Sequence, residues 1–424
     1  MSGDARALFA GTSYVAMGTL FGAALTFVFY ILGARVLGPE NFGNLSLITA
    51  VSAILAISMG INVTPAVKYS SGARDEAVRT AIISTSYIAI VLFTAASVII
   101  YALAFQWLSL IFGISSELFF FSVVYAVTLT FFTLTMSPLR ILFRMRTFGL
   151  FNGIQSVIAL SVFLVLISNN LRSWESAAFS IYISYIAITL VLVFYLRDQI
   201  KLEFDGFWAK KLITYSAFAA PGVIASAFLG VDRILINIFL TTADVGIYAA
   251  YYLPSITIAL MLWGILNAAF FPYASKSSDR LSILRNINKA VPYLAAVLLP
   301  SIFLLELLAF AFYGRQYAFS WEIAFFFALA ATTSVIFQAY LWLVASEGMM
   351  GAKVTTYSTI LSLLVLIGLD VVLIPLIGIS GAALTLIFAY LIPTLFLFSK
   401  RRILGGGQEQ WQRSASIERP EVLK

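Results

Sequence analysis

The sequence predicts an all-α integral membrane protein, with twelve transmembrane helices in two parallel six-helix lobes. Three observations carry this expectation. Hydrophobic residues make up 61% of the 424 positions and charged residues only 11%, which is more apolar surface than a soluble chain of this length hides from water. Twelve apolar stretches each reach the roughly 20 residues that span the hydrocarbon of a bilayer. The chain also repeats itself at about half its length. Ile31-Leu32, Leu37 and Gly43 recur at Ile234-Leu235, Leu240 and Gly246, an offset of 203. Gly60-Ile61 returns as Gly264-Ile265 at offset 204, and Ser176-Ala177-Ala178 as Gly381-Ala382-Ala383 at offset 205. Ordered matches at a nearly constant offset mark an internal duplication, a hallmark of transporters.

The predicted spans are 9–33, 44–67, 80–104, 118–139, 149–168, 176–196, 212–240, 246–272, 290–312, 323–346, 354–376 and 380–399. The first is too long for a signal peptide and lacks a charged n-region and a clear small-residue cleavage site, so it reads as a retained span. Lys and Arg positions set the orientation. With a cytoplasmic N-terminus, 22 of the 26 basic residues fall on inside segments and only Arg35, Arg172 and Arg315 outside, while Arg233 lies within span 7. This bias supports both the span count and cytoplasmic placement of the two termini in a cell (plasma or inner) membrane. Six spans return the chain to its starting side, so the halves are parallel repeats related by an axis along the membrane normal.

The expected division is therefore an N-terminal lobe over 1–200, a cytoplasmic linker over 201–211, a C-terminal lobe over 212–402 and a cytoplasmic tail over 403–424. The charges and aromatics of 197–211 suit a segment at the lipid surface. Between spans 1 and 2, Gly38-Pro39 forces a turn and Gly43 permits close backbone approach. Pro375 helps to end span 11. Gly18 and Gly22 form a small-xxx-small packing face in span 1. Tyr248, Tyr251 and Tyr252 open span 8, a position that fits an interfacial aromatic belt or a stacking surface for sugars.

The chain contains no cysteine and no histidine, which excludes disulfide, thiolate and His-dependent catalysis and any His-based zinc site. No metal centre and no cofactor is expected. The net charge of +7 reports topology rather than nucleic-acid binding.

Several stretches resemble the polysaccharide-transporter family, the Wzx-type lipid-linked oligosaccharide flippases of the multidrug/oligosaccharidyl-lipid/polysaccharide (MOP) exporter superfamily. Ala34-Arg35-Val36-Leu37-Gly38-Pro39-Glu40-Asn41-Phe42-Gly43 resembles its A-R-x-L-G-P-x-x-F-G signature. Asp232-Arg233-Ile234-Leu235-Ile236 followed by Val245-Gly246-Ile247-Tyr248 resembles D-R-x-x-I then V-G-x-Y. Gly314-Arg315-Gln316-Tyr317 resembles the G-x-x-Y after span 9, and Leu373-Ile374-Pro375 with Gly378-Ile379-Ser380-Gly381-Ala382-Ala383 resembles the L-I-P-x-x-G-x-x-G-A-A hairpin. The resemblance covers nearly the whole chain. It implies a MATE/MOP-like fold with the lobes around a central cavity, and as cargo a glycan on a polyprenyl phosphate or diphosphate, moved from the inner to the outer leaflet by alternating access. Membrane lipids and glycan-assembly enzymes are the other implied partners.

Such a task needs cations for the phosphate and polar groups for the sugar within a hydrated path. The candidate phosphate ligands are Arg35, Lys68, Arg140, Arg233 and Arg315, with Arg233 foremost because a charge inside a span is costly to keep. Asn62 and Asn237 are candidates to line a glycan path, and helix–helix hydrogen bonding accounts for them equally well. Asp232, Glu306 and Asp370 lie in spans 7, 9 and 11, each about 9–12 Å from the outer end at 1.5 Å per residue. Their shared depth makes them candidates for an ion-coupling site using H+ or Na+, with helix–helix ties as the structural alternative. A drug/cation antiporter of the same superfamily is the competing transport function. A membrane glycosyltransferase or glycan polymerase fits poorly, because outer loops such as 105–117 and 241–245 carry only Glu117 and Asp244 as acids.

Overall fold

The computed structural model describes residues 3–60, 75–142, 144–199, 201, 203–276 and 279–401. Among them every regular element is helical. The helices are α1 (Gly3–Gly60), α2 (Glu76–Leu103), α3 (Phe105–Phe112), α4 (Ser116–Ile141), α5 (Met145–Ser168), α6 (Trp174–Tyr195), α7 (Gly206–Ala227), α8 (Asp232–Phe239), α9 (Thr242–Tyr252), α10 (Ile258–Lys276), α11 (Arg280–Tyr313), α12 (Trp321–Ala345), α13 (Gly348–Ile377) and α14 (Ile379–Ser399). A 3-10 turn (Phe228–Gly230) precedes α8, and a π-helical turn (Leu253–Thr257) joins α9 to α10. The protein is a multi-pass membrane protein.

Ten of these helices are long and apolar enough to cross a membrane, and an eleventh crossing is counted when the bent pair Ala220–Ala227 and Asp232–Phe239 is taken as one. The stretch Leu20–Gly60 is 41 residues long. At 1.5 Å per residue that is about 60 Å, twice the hydrocarbon thickness. Gly38 interrupts it with φ 77° and ψ 169°, a conformation that suits glycine, and Pro39 follows. The described helices are thus compatible with the twelve expected crossings. Span 7, expected as one helix, is instead bent by 44° ahead of Asp232.

The chain packs as two compact units, Met1–Ala250 with Ala309–Ala318, and Tyr251–Leu308 with Phe319–Lys424. In the first, α1 packs along α5 through small residues. A Cβ at Gly18 would lie 2.6 Å from the backbone of Gly149, and one at Gly22 would lie 3.1 Å from the Asn152 carbonyl. Lipid offers no hydrophobic force between helices, so this close backbone approach supplies the packing, as the small-xxx-small face predicted. Polar side chains along the seams bond to backbone carbonyls. Ser52 donates to Ser122 O at 3.0 Å and Tyr182 to Phe121 O at 2.8 Å. Outward faces are apolar, with Leu103, Trp107 and Leu110 more than two-thirds exposed, as a lipid-facing surface requires.

The stretch entering α7 is tied to α2. Lys201 N donates to Ser84 Oγ at 3.0 Å and Asp205 N to Thr85 Oγ1 at 3.1 Å. Asp205 then caps α7 by accepting from Phe207 N and Trp208 N. Trp208 packs against Ile82 and Leu212.

The repeat leaves a direct trace in this unit. A Cβ on Gly43 would collide with the Thr242 carbonyl, and one on Gly246 with the Pro39 carbonyl, while the glycines also approach each other's amides. Pro39 and Thr242 are themselves separated by the repeat offset of 203. Equivalent positions of the two halves therefore meet reciprocally, the pattern of a contact astride a two-fold axis.

In the second unit, α13 and α14 form a tight hairpin. Gly378, at φ 63°, ends α13 two residues after it passes through Pro375, so the glycine rather than the proline makes the stop. Gly381 lies against the Leu373 carbonyl with no room for a Cβ. Near the other end of α13, Arg280 Nη1 bonds Glu347 Oε1 at 3.1 Å with both side chains largely buried.

Candidate functional site

The first unit holds the charged cluster. Asp232 opens α8 immediately after the bend, and it is fully buried. Its Oδ1 accepts from Arg233 N at 2.7 Å, and its Oδ2 accepts from the hydroxyl of Tyr248 on α9. Consecutive helical side chains diverge by about 100°, so the two charged groups of Asp232 and Arg233 reach different partners. Arg233 Nη1 donates to Thr49 Oγ1 at 3.5 Å, which ties α8 to the second arm of α1. Tyr30, on the first arm, packs edge to face on Phe42 of the second, 6.4 Å between ring centroids.

Tyr30 also lines a cavity among α1, α4, α5 and α6. Thr26, Tyr125, Gln155, Ser156 and Tyr185 supply its polar wall, and Phe29, Ala159 and Ile181 its apolar part. Its empty volume, open to solvent at the mouth, is about 350 Å³. Gln155 Nε2 donates to Ser184 Oγ at 2.8 Å, and Thr26 and Ser156 share a bond at 3.1 Å. The rings of Tyr125 and Tyr185 meet edge to face, 5.8 Å between centroids.

The second unit holds Glu306 on α11 and Asp370 on α13, both fully buried. Ser255, in the π-helical turn, lies beside Glu306, but its hydroxyl donates to the Tyr251 carbonyl at 2.5 Å. Neither carboxyl oxygen of Glu306 has a hydrogen-bond partner among the described residues. A π-turn frees backbone carbonyls from the α-helical ladder and recurs at functional sites.

Residues 8–278 match the family described as Polysaccharide biosynthesis protein, well over half of the chain. The chain belongs to that family. Its fold is that of the MOP-superfamily transporters. A structure described as the inward-facing conformation of a multidrug resistance MATE family transporter superposes with a TM-score of 0.68 at 15% identity, covering 92% of this chain and 98% of the other. The lipid II flippase MurJ, in an inward closed conformation, superposes with a TM-score of 0.66 at 15% identity over 92% and 87%. A MATE structure in a bent conformation gives 0.58 at 14% over 98% and 100%. No curated protein matches the chain.

Within this polysaccharide biosynthesis family fold, the sequence-derived candidates fall into distinct places. Arg35 and Arg315 are both exposed and share one end of the first unit, where Gln316 Nε2 donates to Ala34 O at 3.1 Å and Arg35 O at 2.7 Å. Arg140 is exposed at the end of α4, with its guanidinium 5.6 Å from the Phe148 ring. Asn237 has both ends of its amide engaged, with Nδ2 donating to Gly113 O at 2.7 Å and Oδ1 accepting from Thr242 at 2.8 Å. Asn62 and Lys68 lie outside the described residues. Asp232 sits in the first unit, whereas Glu306 and Asp370 sit in the second.

Two features escaped the sequence. Tyr248 and Tyr251, expected in an interfacial belt or on a sugar-stacking surface, are fully buried instead, with Tyr248 holding Asp232 and Tyr251 accepting from Ser320 N at 2.6 Å. The neutral polar cavity draws on four helices and contains no carboxylate, lysine or arginine that would flag it in the sequence.

Proposed function

We propose that the protein is a flippase that moves a polyprenyl-phosphate- or polyprenyl-diphosphate-linked oligosaccharide from the inner to the outer leaflet by alternating access, without bond-breaking chemistry. The observation that carries this reading is membership of a polysaccharide biosynthesis family on an exporter fold. The physical obstacle is the phosphate, because moving an anion into hydrocarbon costs on the order of tens of kcal/mol unless partners replace its hydration. Arg233 is the foremost candidate for this, since it lies inside a span yet reaches the Thr49 hydroxyl of α1. Arg35, Arg140 and Arg315 serve the ends of the path, and Lys68 extends the set.

Asp232, Glu306 and Asp370 are the proposed ion-coupling residues, with H+ or Na+ as the ion. In this reading the termini face the cytoplasm of a cell membrane, and glycan-assembly enzymes supply the cargo. The test is reconstitution into liposomes with a fluorescent lipid-linked sugar under imposed proton, sodium and voltage gradients. Protein-dependent exchange between leaflets is expected. No exchange under any gradient, with uptake of organic cations in its place, would overturn the reading in favour of a drug/cation antiporter.

A further inference from the structure

We infer that the cavity lined by Thr26, Tyr30, Tyr125, Gln155, Ser156 and Tyr185 is the subsite for the sugar bonded directly to the lipid phosphate. This deepens the flippase reading and rests on it. The lining decides the chemistry of the ligand. It offers hydroxyls, a carboxamide and aromatic faces, but no carboxylate, lysine or arginine. An organic cation finds no counter-charge there, and a phosphate finds no cation. A sugar edge finds both donors and acceptors, and its C–H face finds tyrosine rings.

The groups have capacity to spare. Gln155 uses one N–H on Ser184, and a carboxamide carries two. Each tyrosine hydroxyl both donates and accepts. The empty volume of about 350 Å³ has room for one sugar ring with its substituents rather than for a longer glycan. The rest of the glycan then stays outside, so the pocket reads the first sugar and is indifferent to later ones.

Connectivity supplies the second argument. In a lipid-linked glycan the first sugar is attached to the phosphate itself, so a phosphate site and a sugar site that serve one molecule must adjoin. Tyr30 lines the cavity and packs edge to face on Phe42 of the second arm of α1, 6.4 Å between ring centroids, and Thr49, about two turns further along that arm, accepts from Arg233. α1 carries residues of both subsites, Thr26 and Tyr30 for the sugar and Thr49 beside Arg233.

The test measures binding to the full chain in nanodiscs of neutral lipid. The probes are polyprenyl diphosphate alone and the same lipid carrying one glucose, galactose, N-acetylglucosamine or N-acetylgalactosamine. At least one sugar should tighten binding over the bare diphosphate by about tenfold, two hydrogen bonds' worth. Tyr185→Phe and Gln155→Leu should each cut that sugar increment by about 5-fold while leaving the bare lipid within about 2-fold. Arg233→Gln should weaken every probe alike and leave the increment unchanged. The ratio of two ligands on one sample controls for folding, since a misfolded variant loses both. A wild-type protein that binds all probes equally, or an increment that survives both cavity variants, overturns the subsite and leaves the flippase reading standing. A wild-type protein that binds neither bare nor sugar-bearing lipid overturns both.

Discussion

Asp232 and Glu306 are both carboxylates on transmembrane helices, both without solvent exposure, yet their surroundings are opposites. Asp232 is held at both oxygens. A tyrosine hydroxyl and a backbone amide hold its two oxygens, and the hairpin that brings Tyr248 to it is braced two residues away by the Gly43–Gly246 contact. Glu306 lies next to a serine whose hydroxyl donates its hydrogen bond to a backbone carbonyl instead, at a π-turn where the helix ladder is already broken. The difference is one of structural load. Asp232, held at both oxygens, supports the fold in addition to the coupling role proposed for it, whereas Glu306 has no hydrogen bond from the described residues to lose. Depth in the membrane, the property that grouped these residues in the sequence, does not distinguish them.

The comparison breaks most sharply at Asp232. Asp232→Ala leaves the buried Tyr248 hydroxyl without its acceptor and removes a charge-assisted bond, so a loss of roughly 3 kcal/mol is expected. Chemical unfolding in detergent measures it, with Tyr248→Phe expected to lose less. If Asp232→Ala unfolds at the wild-type midpoint while Glu306→Ala is the fragile variant, the two roles are reversed.

The glycine contact comes next. A methyl group at position 43 or 246 meets a carbonyl oxygen of the other hairpin, and backbone cannot rotate out of the way as a side chain can. Gly43→Ala and Gly246→Ala should each cost roughly 2 kcal/mol. Because each glycine faces the other's hairpin, the double variant should cost less than the sum by about 1 kcal/mol, since the first methyl already forces the helices apart. Strict additivity would show that the two positions relax independently, and the reciprocal contact would then have no energetic meaning. At the same end, Gln316→Ala removes two bonds to the carbonyls of residues 34 and 35 and should cost about 1 kcal/mol.

These cases show what the sequence made legible. The spans were readable because lipid demands long apolar runs, and the repeat was readable because ordered words survive at a nearly constant offset. The Gly43 approach was readable as a need for space, although its partner was not. Asp232 stood out as a charge in an apolar run. Its acceptor role did not, because Tyr248 lies 16 positions on and tyrosine at a span end reads as an interfacial anchor. The bend before α8 was hidden because Gly230 and its neighbours keep the hydropathy of a continuous span. The cavity was hidden most deeply. Its walls are neutral residues on four helices, and only three-dimensional packing brings Thr26 to Gln155 and Tyr30 to Tyr185.

The smallest structural effect is expected at Glu306, and it carries the sharpest functional test. Glu306→Gln keeps the shape of the side chain and withdraws no hydrogen bond that the described residues make to the carboxyl group. Stability should therefore stay within about 1 kcal/mol of wild type. An amide, however, neither binds a proton in the physiological range nor neutralises a sodium ion. If Glu306 couples transport to an ion, the variant should still exchange lipid-linked sugar between leaflets but lose its response to an imposed proton or sodium gradient. Measuring exchange with and without each gradient, in the same liposomes, separates coupling from catalysis of exchange. A variant that answers both gradients as the wild type does would make Glu306 a buried acid without a transport role. The contrast with Asp232 would then concern packing alone.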